Sequence, residues 1–199
     1  MITADISSVH VLEFCRGISD AALFYVSVEP RPGLENGNCF NNVDVVVARH
    51  GGASVYGWNI LEWPGVFIEA EQHAVWRLDD GSFLDPTPPV RPFSRIAFLF
   101  DPTLGEWEIR PNVKRALVAD RLIDDWLETA RLVQRQQQRK QILPAPLARQ
   151  VRALDRRLRG RYGTEPWPDQ SPSVSSLPTS RTAPGFPNAS SHAQGGLRK

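Results

Sequence analysis

The sequence predicts an α+β domain in which a buried helix packs on an antiparallel sheet and a helical hairpin follows. Three observations lead to this fold class. One helical pattern precedes a series of strand patterns, without the alternation of strands and helices that a doubly wound sheet requires. Two more helical patterns fill residues 110–161. The 199 residues are 41% hydrophobic and include six tryptophans, so the chain can bury one sizeable core.

The first two predicted elements are a strand and the buried helix. Residues 22–28, "ALFYVSV", form an apolar run rich in β-branched and aromatic residues, which is typical of a strand. The helix begins at Cys39 and ends at the glycines of "HGG". Its apolar residues recur at spacings of three and four: Phe40, Val43, Val46 and Val47. Because valine has a low helix propensity, we expect burial to hold this helix in place.

Four more strands are predicted from "SVYGWNILEW", "GVFIEAEQHAVWRL", "SFLDPTP" and "SRIAFLFD", and we expect an antiparallel meander. The "DDG" turn at Asp79–Gly81 is typical of a three-residue hairpin loop with glycine in the left-handed region. In that register Leu78 pairs with Ser82. His73 and Asp85 then become diagonal neighbours on one face, with Cα atoms about 7 to 8 Å apart. A two-residue turn would move Asp85 to the other face.

Residues 110–161 are predicted to form two helices. Asn112 caps the first, which carries one apolar face and runs to roughly Arg139. The segment "LPAP" separates it from the second helix, whose apolar stripe ends at Gly160. The chain therefore divides into an α+β core, a basic helical hairpin and a disordered tail rich in Ser, Pro and Gly, with the bounds 1–109, 110–161 and 162–199.

The charges are divided between these parts. Residues 1–109 hold 6 Lys and Arg against 15 Asp and Glu, a net charge of −9, whereas residues 110–161 hold 14 against 5, a net charge of +9. The two surfaces can attract each other within the fold or a dimer, or the basic segment can bind a protein partner. No aromatic or glycine-rich nucleic-acid motif accompanies the arginines, so a nucleic-acid partner is not expected.

The chain contains two cysteines, which are too few for a disulfide framework and lack the spacing of a zinc site. We expect free thiols and a reducing compartment. Cys39 and His50 lie at opposite ends of the predicted helix, about 16 Å apart at 1.5 Å rise per residue, so we expect no metal ion and no cofactor. Without a Sec-type signal or an apolar stretch long enough to cross a membrane, a cytoplasmic location without membrane association is expected.

Cys39, His73 and Asp85 are the candidate catalytic residues. A thiol at a helix N-terminus is readily converted to the nucleophilic thiolate. His73 would accept and return the proton, and Asp85 would hold the tautomer and orientation of the imidazole. The backbone N–H of Cys39, together with the side chain of Asn38 or Asn36, is the candidate oxyanion hole.

Three other residues are candidates for the surrounding pocket. Glu69 and Glu71 share a strand face with His73, so either could orient the imidazole in place of Asp85 or line the cleft. Trp58 could line a substrate groove or lie in the aromatic core.

Three motifs in this order, "GNC" at a helix start, "HAVW" on a strand and "FLDPTP" on the next strand, resemble the transglutaminase-like branch of the papain-like cysteine enzymes. Arylamine N-acetyltransferases have a similar core and the same Cys, His, Asp order. The resemblance covers roughly Leu34–Pro89. It implies a papain-like/transglutaminase-like core that performs acyl transfer or amide hydrolysis through a thioester. The 34 and 12 residues that separate Cys39, His73 and Asp85 are compact intervals, and Trp76 lies three residues after His73 where the family has two. A small hydrolase or acyltransferase fits this pattern better than a full transglutaminase.

Two hypotheses for the function follow. The first is a cysteine hydrolase or acyltransferase that acts on a peptide, a protein side-chain amide or a small acyl substrate. The alternative is a non-catalytic protein-interaction module on the same fold. In that case Cys39 is a small buried side chain, the more common state of a free cysteine.

Overall fold

The computed structural model describes residues 1–90, 92–105, 110–139 and 141–163. Within these ranges the chain forms four helices and one seven-stranded sheet. The helices are α1 (Val9–Arg16), α2 (Cys39–His50), α3 (Arg121–Gln138) and α4 (Ala145–Tyr162). The strands are β1 (Ile2–Thr3), β2 (Leu23–Val28), β3 (Ala53–Trp63), β4 (Phe67–Arg77), β5 (Phe83–Asp85), β6 (Arg95–Phe100) and β7 (Val113–Ala116). The predicted disordered tail lies outside the described residues from residue 164 onward.

The sheet closes on itself. Its strand order is β1-β3-β6-β2-β5-β4-β7, and β3 also pairs with β4 along their full length. The strands β3, β6, β2, β5 and β4 therefore form a closed five-stranded barrel, to which β1 and β7 add as outer strands. The mixed α+β class that the sequence predicts is confirmed.

Alternation along the strands separates the inside of the barrel from its outer face. On β4, Val75 points inward and packs with Val26, Ile96 and Phe98. Ala74 and Trp76 point outward against Val43 and Val46 of α2. Ile68 and Ala70, farther along the same outer face, pack against Val11 and Phe14 of α1. The valine-rich α2 is thus held by burial against β4, as its sequence predicts.

The β4–β5 hairpin has the predicted three-residue register. The N–H of Leu78 donates to the carbonyl of Ser82, and Gly81 has a φ of 85°. Trp76 pairs with Leu84, so the turn keeps the side chain of Asp85 on the face of the sheet that carries His73.

The predicted antiparallel meander is wrong in one respect. β6 does not follow β5 in the sheet but lies between β3 and β2. β5 instead pairs in parallel with β2, with Ser27 opposite Leu84 and Val28 opposite Asp85. Parallel strands need a crossover connection of about a dozen residues or more, and the segment between β2 and β5, which contains α2, β3 and β4, supplies it. The parallel pair fixes the end of β5, where Asp85 lies.

The predicted start of the first C-terminal helix is also wrong. Val113–Ala116 form β7, which pairs with β4 from Phe67 to Ala70. The helix α3 starts at Arg121, where the side chain of Asp120 accepts a hydrogen bond from the N–H of Leu122. Asn112 therefore caps no helix, and its amide donates to Glu69 of β4.

The second C-terminal helix continues past its predicted end. Gly160 lies inside α4, and the helix ends at Tyr162, with Gly163 at a φ of 82°. The side chains of Arg161 and Tyr162 both contact Asp120 at the start of α3. These contacts stabilise the last turn of α4 by more than the low helix propensity of Gly160 destabilises it.

The helical hairpin packs on the far end of the β3–β4 pair. Leu122, Ile123 and Leu127 of α3 and Leu154 and Leu158 of α4 share a buried cluster with Trp63 and Phe67. The ring of Trp126 stacks on Phe67 with centroids 4.9 Å apart. Among the described residues, no helix has the length and apolar character needed to cross a membrane.

Candidate active site

Cys39 is the first residue of α2. The chain enters the helix through Gly37, whose φ of 70° favours glycine, and through Asn38 at the N-cap position. The side chain of Asn38 does not cap the helix. Its amide donates to Glu35 at 3.2 Å, and its oxygen accepts from the amide of Asn41 at 2.6 Å. The side chain of Asn38 therefore does not cap the N–H groups of the first turn of α2, which begins at Cys39.

Asp85 lies at the end of β5 and faces His73 of β4. Its Oδ2 is 2.8 Å from Nε2 of His73, and its Oδ1 accepts a 2.9 Å hydrogen bond from the backbone N–H of Thr87. Its own carbonyl accepts from the N–H of Glu29, which follows β2. The carboxylate is thus fixed by contacts on both oxygens and on the backbone.

His73 joins this carboxylate to the thiol. Its Nε2 lies 2.8 Å from Oδ2 of Asp85, which leaves Nδ1 for the sulfur of Cys39, the other group that acts on the pKa of His73. Burial alone would lower the pKa of His73. The charges of Cys39 and Asp85 and the hydrogen bonds to both outweigh burial and hold this pKa well above 6.5. The site therefore favours the protonated imidazole, between a sulfur and a carboxylate.

The three side chains are largely enclosed. Cys39 is 7% exposed, and the side chains of His73 and Asp85 are 13% and 5% exposed. The surroundings thus have a lower effective dielectric than water, which strengthens the attraction between charges in the site. Of the two side chains of the ion pair, that of His73 is the more exposed.

The acidic residues of β4 do not replace Asp85. Glu69 accepts a 2.6 Å hydrogen bond from the amide of Asn112 and contacts the ammonium of Lys114, so its carboxylate is engaged by β7 and the residue before it. Glu71 is exposed and shares the strand face of His73. Asp85 is the carboxylate that contacts the imidazole. The exposed Asn36 lies on the loop before α2, next to the half-buried Asn38.

Trp58 does not line the site, so this prediction is wrong. It pairs across β3 and β4 with Gln72, whose side chain points away from the face that carries His73. The indole is 3% exposed, packs in the cluster under α1 and donates to Asp101 at 2.9 Å. Trp58 therefore belongs to the core on the outer face of the barrel.

Asn42 is a site residue that the sequence analysis missed. It is 3% exposed and lies one turn after Cys39 on the buried face of α2. Its amide donates to the carbonyl of Glu35 at 2.7 Å and to Oγ1 of Thr87 at 3.3 Å, and its oxygen accepts from the N–H of Glu35 at 3.2 Å. A polar residue in a helical stripe otherwise formed by Val43 and Val46 was the signal that could have identified it.

Asn59 is a second missed residue. It pairs with Glu71 across β3 and β4, so it lies diagonal to His73 on the same face. It is 6% exposed, and within the described residues its Oδ1 has no hydrogen-bond partner. Buried acceptors are seldom left unpaired. This oxygen is therefore a buried acceptor without a partner among the described residues, on the strand face of His73.

The other histidine and cysteine considered from the sequence lie elsewhere. His50 is at the far end of α2, with its ring 6.1 Å from that of Trp76. Cys15 is buried under the sheet in α1, where burial raises the pKa of its thiol to about 11. The part of the chain that the structure describes contains no group of three or more His, Cys, Asp or Glu side chains arranged to hold a metal ion.

No family model, curated protein or solved structure matches the chain. Inferences about its chemistry therefore depend on the residues and their geometry.

Proposed function

We propose that the protein is a cysteine-dependent hydrolase or acyltransferase with a papain-like/transglutaminase-like core. It acts on an amide or ester through a thioester on Cys39. One observation carries this proposal: the imidazole of His73 lies between the thiol of Cys39 and the carboxylate of Asp85, at the N-terminus of α2. A structural cysteine needs neither a histidine partner nor a buried carboxylate behind it.

The first half of the reaction forms the thioester. The Cys39 thiolate attacks the carbonyl carbon of the substrate, a carbon–sulfur bond forms, and the carbonyl electron pair moves onto the oxygen. When this tetrahedral species collapses, the bond to the leaving amine or alcohol breaks. Protonated His73 gives that leaving group its proton. The raised pKa of His73 keeps this proton available at neutral pH.

The second half releases the acyl group. Neutral His73 takes a proton from water, or from an acceptor amine, as that molecule attacks the thioester carbonyl. The carbon–sulfur bond then breaks, and its electron pair returns to Cys39 as thiolate beside a protonated His73. Water yields a carboxylic acid, and an amine yields a new amide.

Backbone donors at the start of α2 supply the oxyanion hole. The N–H groups of a first helical turn have no intrahelical acceptor, and the positive end of the helix dipole lies there. Asn38 directs its side chain toward Glu35 and Asn41, so its amide is already engaged. We therefore assign the main oxyanion contact to the backbone N–H of Cys39.

Alkylation by iodoacetamide, followed by intact mass and peptide mapping, tests the proposal. At pH 6 a free thiol with a pKa of about 8.5 is almost entirely protonated, whereas a thiolate paired with an imidazolium reacts. We expect Cys39 to react faster than glutathione at this pH, and His73→Gln to remove the difference. Cys15 serves as an internal reference because it is buried and its thiol is un-ionised.

The alternative, a non-catalytic interaction module, predicts the opposite result. Cys39 would then react no faster than glutathione at pH 6, and His73→Gln would not change its rate. That outcome would overturn the proposed function.

A further inference from the structure

We propose that Asn42 is a positioning residue that sets the distance between Cys39 and the His73–Asp85 pair. This inference rests on the proposed function, because it concerns the same site. Asn42 touches none of the three candidate catalytic side chains in the hydrogen bonds it makes. It acts through Thr87 and through the loop that leads into α2.

The contacts form a closed ring. From Cys39, one turn of α2 leads to Asn42, whose amide donates to Oγ1 of Thr87. The N–H of Thr87 donates to Oδ1 of Asp85, and Oδ2 of Asp85 faces His73. His73 hydrogen-bonds back to Cys39. The hydrogen bonds that lead from Asn42 through Thr87 and Asp85 to His73 are 3.3, 2.9 and 2.8 Å long, so a shift of α2 relative to β5 would lengthen at least one of them.

Asn42 also fixes the loop before the nucleophile. Its amide oxygen and nitrogen bond to the N–H and the carbonyl of Glu35, four residues before Cys39. The same side chain therefore ties together the loop before α2, the first turns of α2 and the segment after β5. The loop is irregular, and Thr87 is forty-five residues from Asn42 in the sequence, so this side chain joins segments that the backbone does not hold together.

The burial of Asn42 and Thr87 favours a rigid ring over incidental surface contacts. Asn42 is 3% and Thr87 is 4% exposed, so water cannot easily replace a lost partner. Removing one member leaves a buried donor or acceptor unpaired. Asn42 buries an amide beside Val43 and Val46 on the apolar face of α2. Burying an amide costs free energy, and a role of Asn42 in holding the geometry of the site accounts for that cost.

The neighbouring Asn41 provides a matched control. Both residues are asparagines on α2, but Asn41 is exposed and its amide donates to the side chain of Asn38, outside the ring. The pair Asn42→Ala and Asn41→Ala therefore compares the same chemical change at a buried position of the ring and at an exposed position outside it.

The test is the rate of iodoacetamide alkylation of Cys39 at pH 6 and at pH 9 in the full-length protein. At pH 6 the reaction needs a correctly placed imidazolium, whereas at pH 9 any accessible thiol reacts. Because displacements of about 1 Å can cost 100-fold in a positioned reaction, we expect Asn42→Ala to slow alkylation at pH 6 by about 10-fold or more. Asn41→Ala should match the wild type within about twofold at both pH values, as surface substitutions do.

The ratio of the two rates separates positioning from loosening. A purely structural role would change the rates at pH 6 and pH 9 together, because it alters access to the sulfur at both. Positioning lowers the rate at pH 6 selectively. An unchanged ratio in Asn42→Ala would overturn the inference.

Thr87→Val keeps the test decisive if Asn42→Ala does not fold. It removes the hydroxyl that Asn42 contacts and leaves the N–H that holds Asp85. We expect the same selective loss at pH 6, and rescue in Thr87→Ser. A wild-type ratio in Thr87→Val would contradict the inference.

Failure of the proposed function gives a different result. In that case the wild-type protein itself reacts like glutathione at pH 6, before any variant is compared. If the wild type is fast at pH 6 and Asn42→Ala is equally fast, the proposed function stands and the positioning role of Asn42 is wrong.

Discussion

Replacing Asp85 by asparagine removes one charge from the site while keeping the shape of the side chain. The amide oxygen can still accept from the N–H of Thr87, which leaves the amide nitrogen facing Nε2 of His73. A donor in that place favours the tautomer in which Nε2 accepts and Nδ1 carries the proton. Neutral His73 then presents an N–H to the sulfur and cannot take its proton.

The magnitude follows from the lost contact. A hydrogen bond of 2.8 Å between an imidazolium and a carboxylate contributes about 1.5 to 3 kcal/mol. His73 can give up its proton when the carboxylate is lost, so the destabilisation should not exceed this range. At 1.36 kcal/mol per factor of ten, the same energy makes the thiolate–imidazolium pair about 10- to 100-fold less populated.

Two assays measure these effects. Urea unfolding should show Asp85→Asn to be about 1.5 to 3 kcal/mol less stable than the wild type. Iodoacetamide alkylation of Cys39 at pH 6 should slow by about 10- to 100-fold, in proportion to the population of the ion pair. Asp79→Asn is the matched control, since it makes the same change at an exposed position of the β4–β5 turn.

If Asp85→Asn is as reactive at pH 6 as Asp79→Asn, the carboxylate does not support the imidazolium. The 2.8 Å contact would then be a packing feature only.

Three further predictions concern pH, the second thiol and two glycines. Because His73 has a raised pKa in the folded protein, its protonated form stabilises the fold below pH 6.5, and this contribution is lost as pH rises through the raised value. The difference in the free energy of unfolding between the wild type and His73→Gln, measured in urea, should therefore shrink as the pH increases; a constant difference would contradict the assignment. Cys15→Ala should leave the rate of Cys39 alkylation unchanged, and Cys15 should stay unlabelled at pH 7 in the folded protein, since burial raises the pKa of its thiol to about 11. Rapid labelling of Cys15 would be inconsistent with its place in the core. Gly57→Ala should destabilise the protein by about 1 to 3 kcal/mol, because the added Cβ would lie 2.2 Å from the carbonyl oxygen of Leu99. Gly160→Ala, with no atom within 4 Å of the new Cβ, should instead stabilise α4 by about 0.5 to 1 kcal/mol; thermal unfolding of the two variants in opposite directions checks both.

The parts of the fold that local sequence controls could be predicted. The span of α2 follows from its apolar spacing and the glycines after His50, and the β4–β5 register follows from the turn at Asp79–Gly81. These features depend on neighbours within about ten residues. They were enough to bring His73 and Asp85 together on one face of the sheet.

The parts of the fold that were predicted wrongly depend on pairing partners that are distant in the sequence. Val113 and Ala116 have a spacing of three that fits a helix. They form a strand instead, because this segment hydrogen-bonds to the edge of β4. The parallel pairing of β5 with β2 joins segments more than fifty residues apart along the chain, and nothing in either segment indicates it. Such pairings are decided by the whole sheet rather than by local preference.

Trp58, which was misplaced, and Asn42, which was missed, show a further limit. Trp58 could have been placed on the other face, because the short turn between Trp63 and Phe67 sets the register of β3 on β4. The role of Asn42 could not be derived in the same way. Its partner Thr87 is forty-five residues away, and only the packing of α2 beside β5 brings them together.

Acyl-enzyme trapping tests the central claim most directly. The full-length protein is mixed with an activated acetate ester such as p-nitrophenyl acetate, quenched in acid and weighed intact. The thioester mechanism predicts one added acetyl group on Cys39, its release by hydroxylamine, its absence in Cys39→Ala and its slow formation in His73→Gln. An adduct that persists in Cys39→Ala, or no adduct on Cys39 in the wild-type protein, would contradict the account.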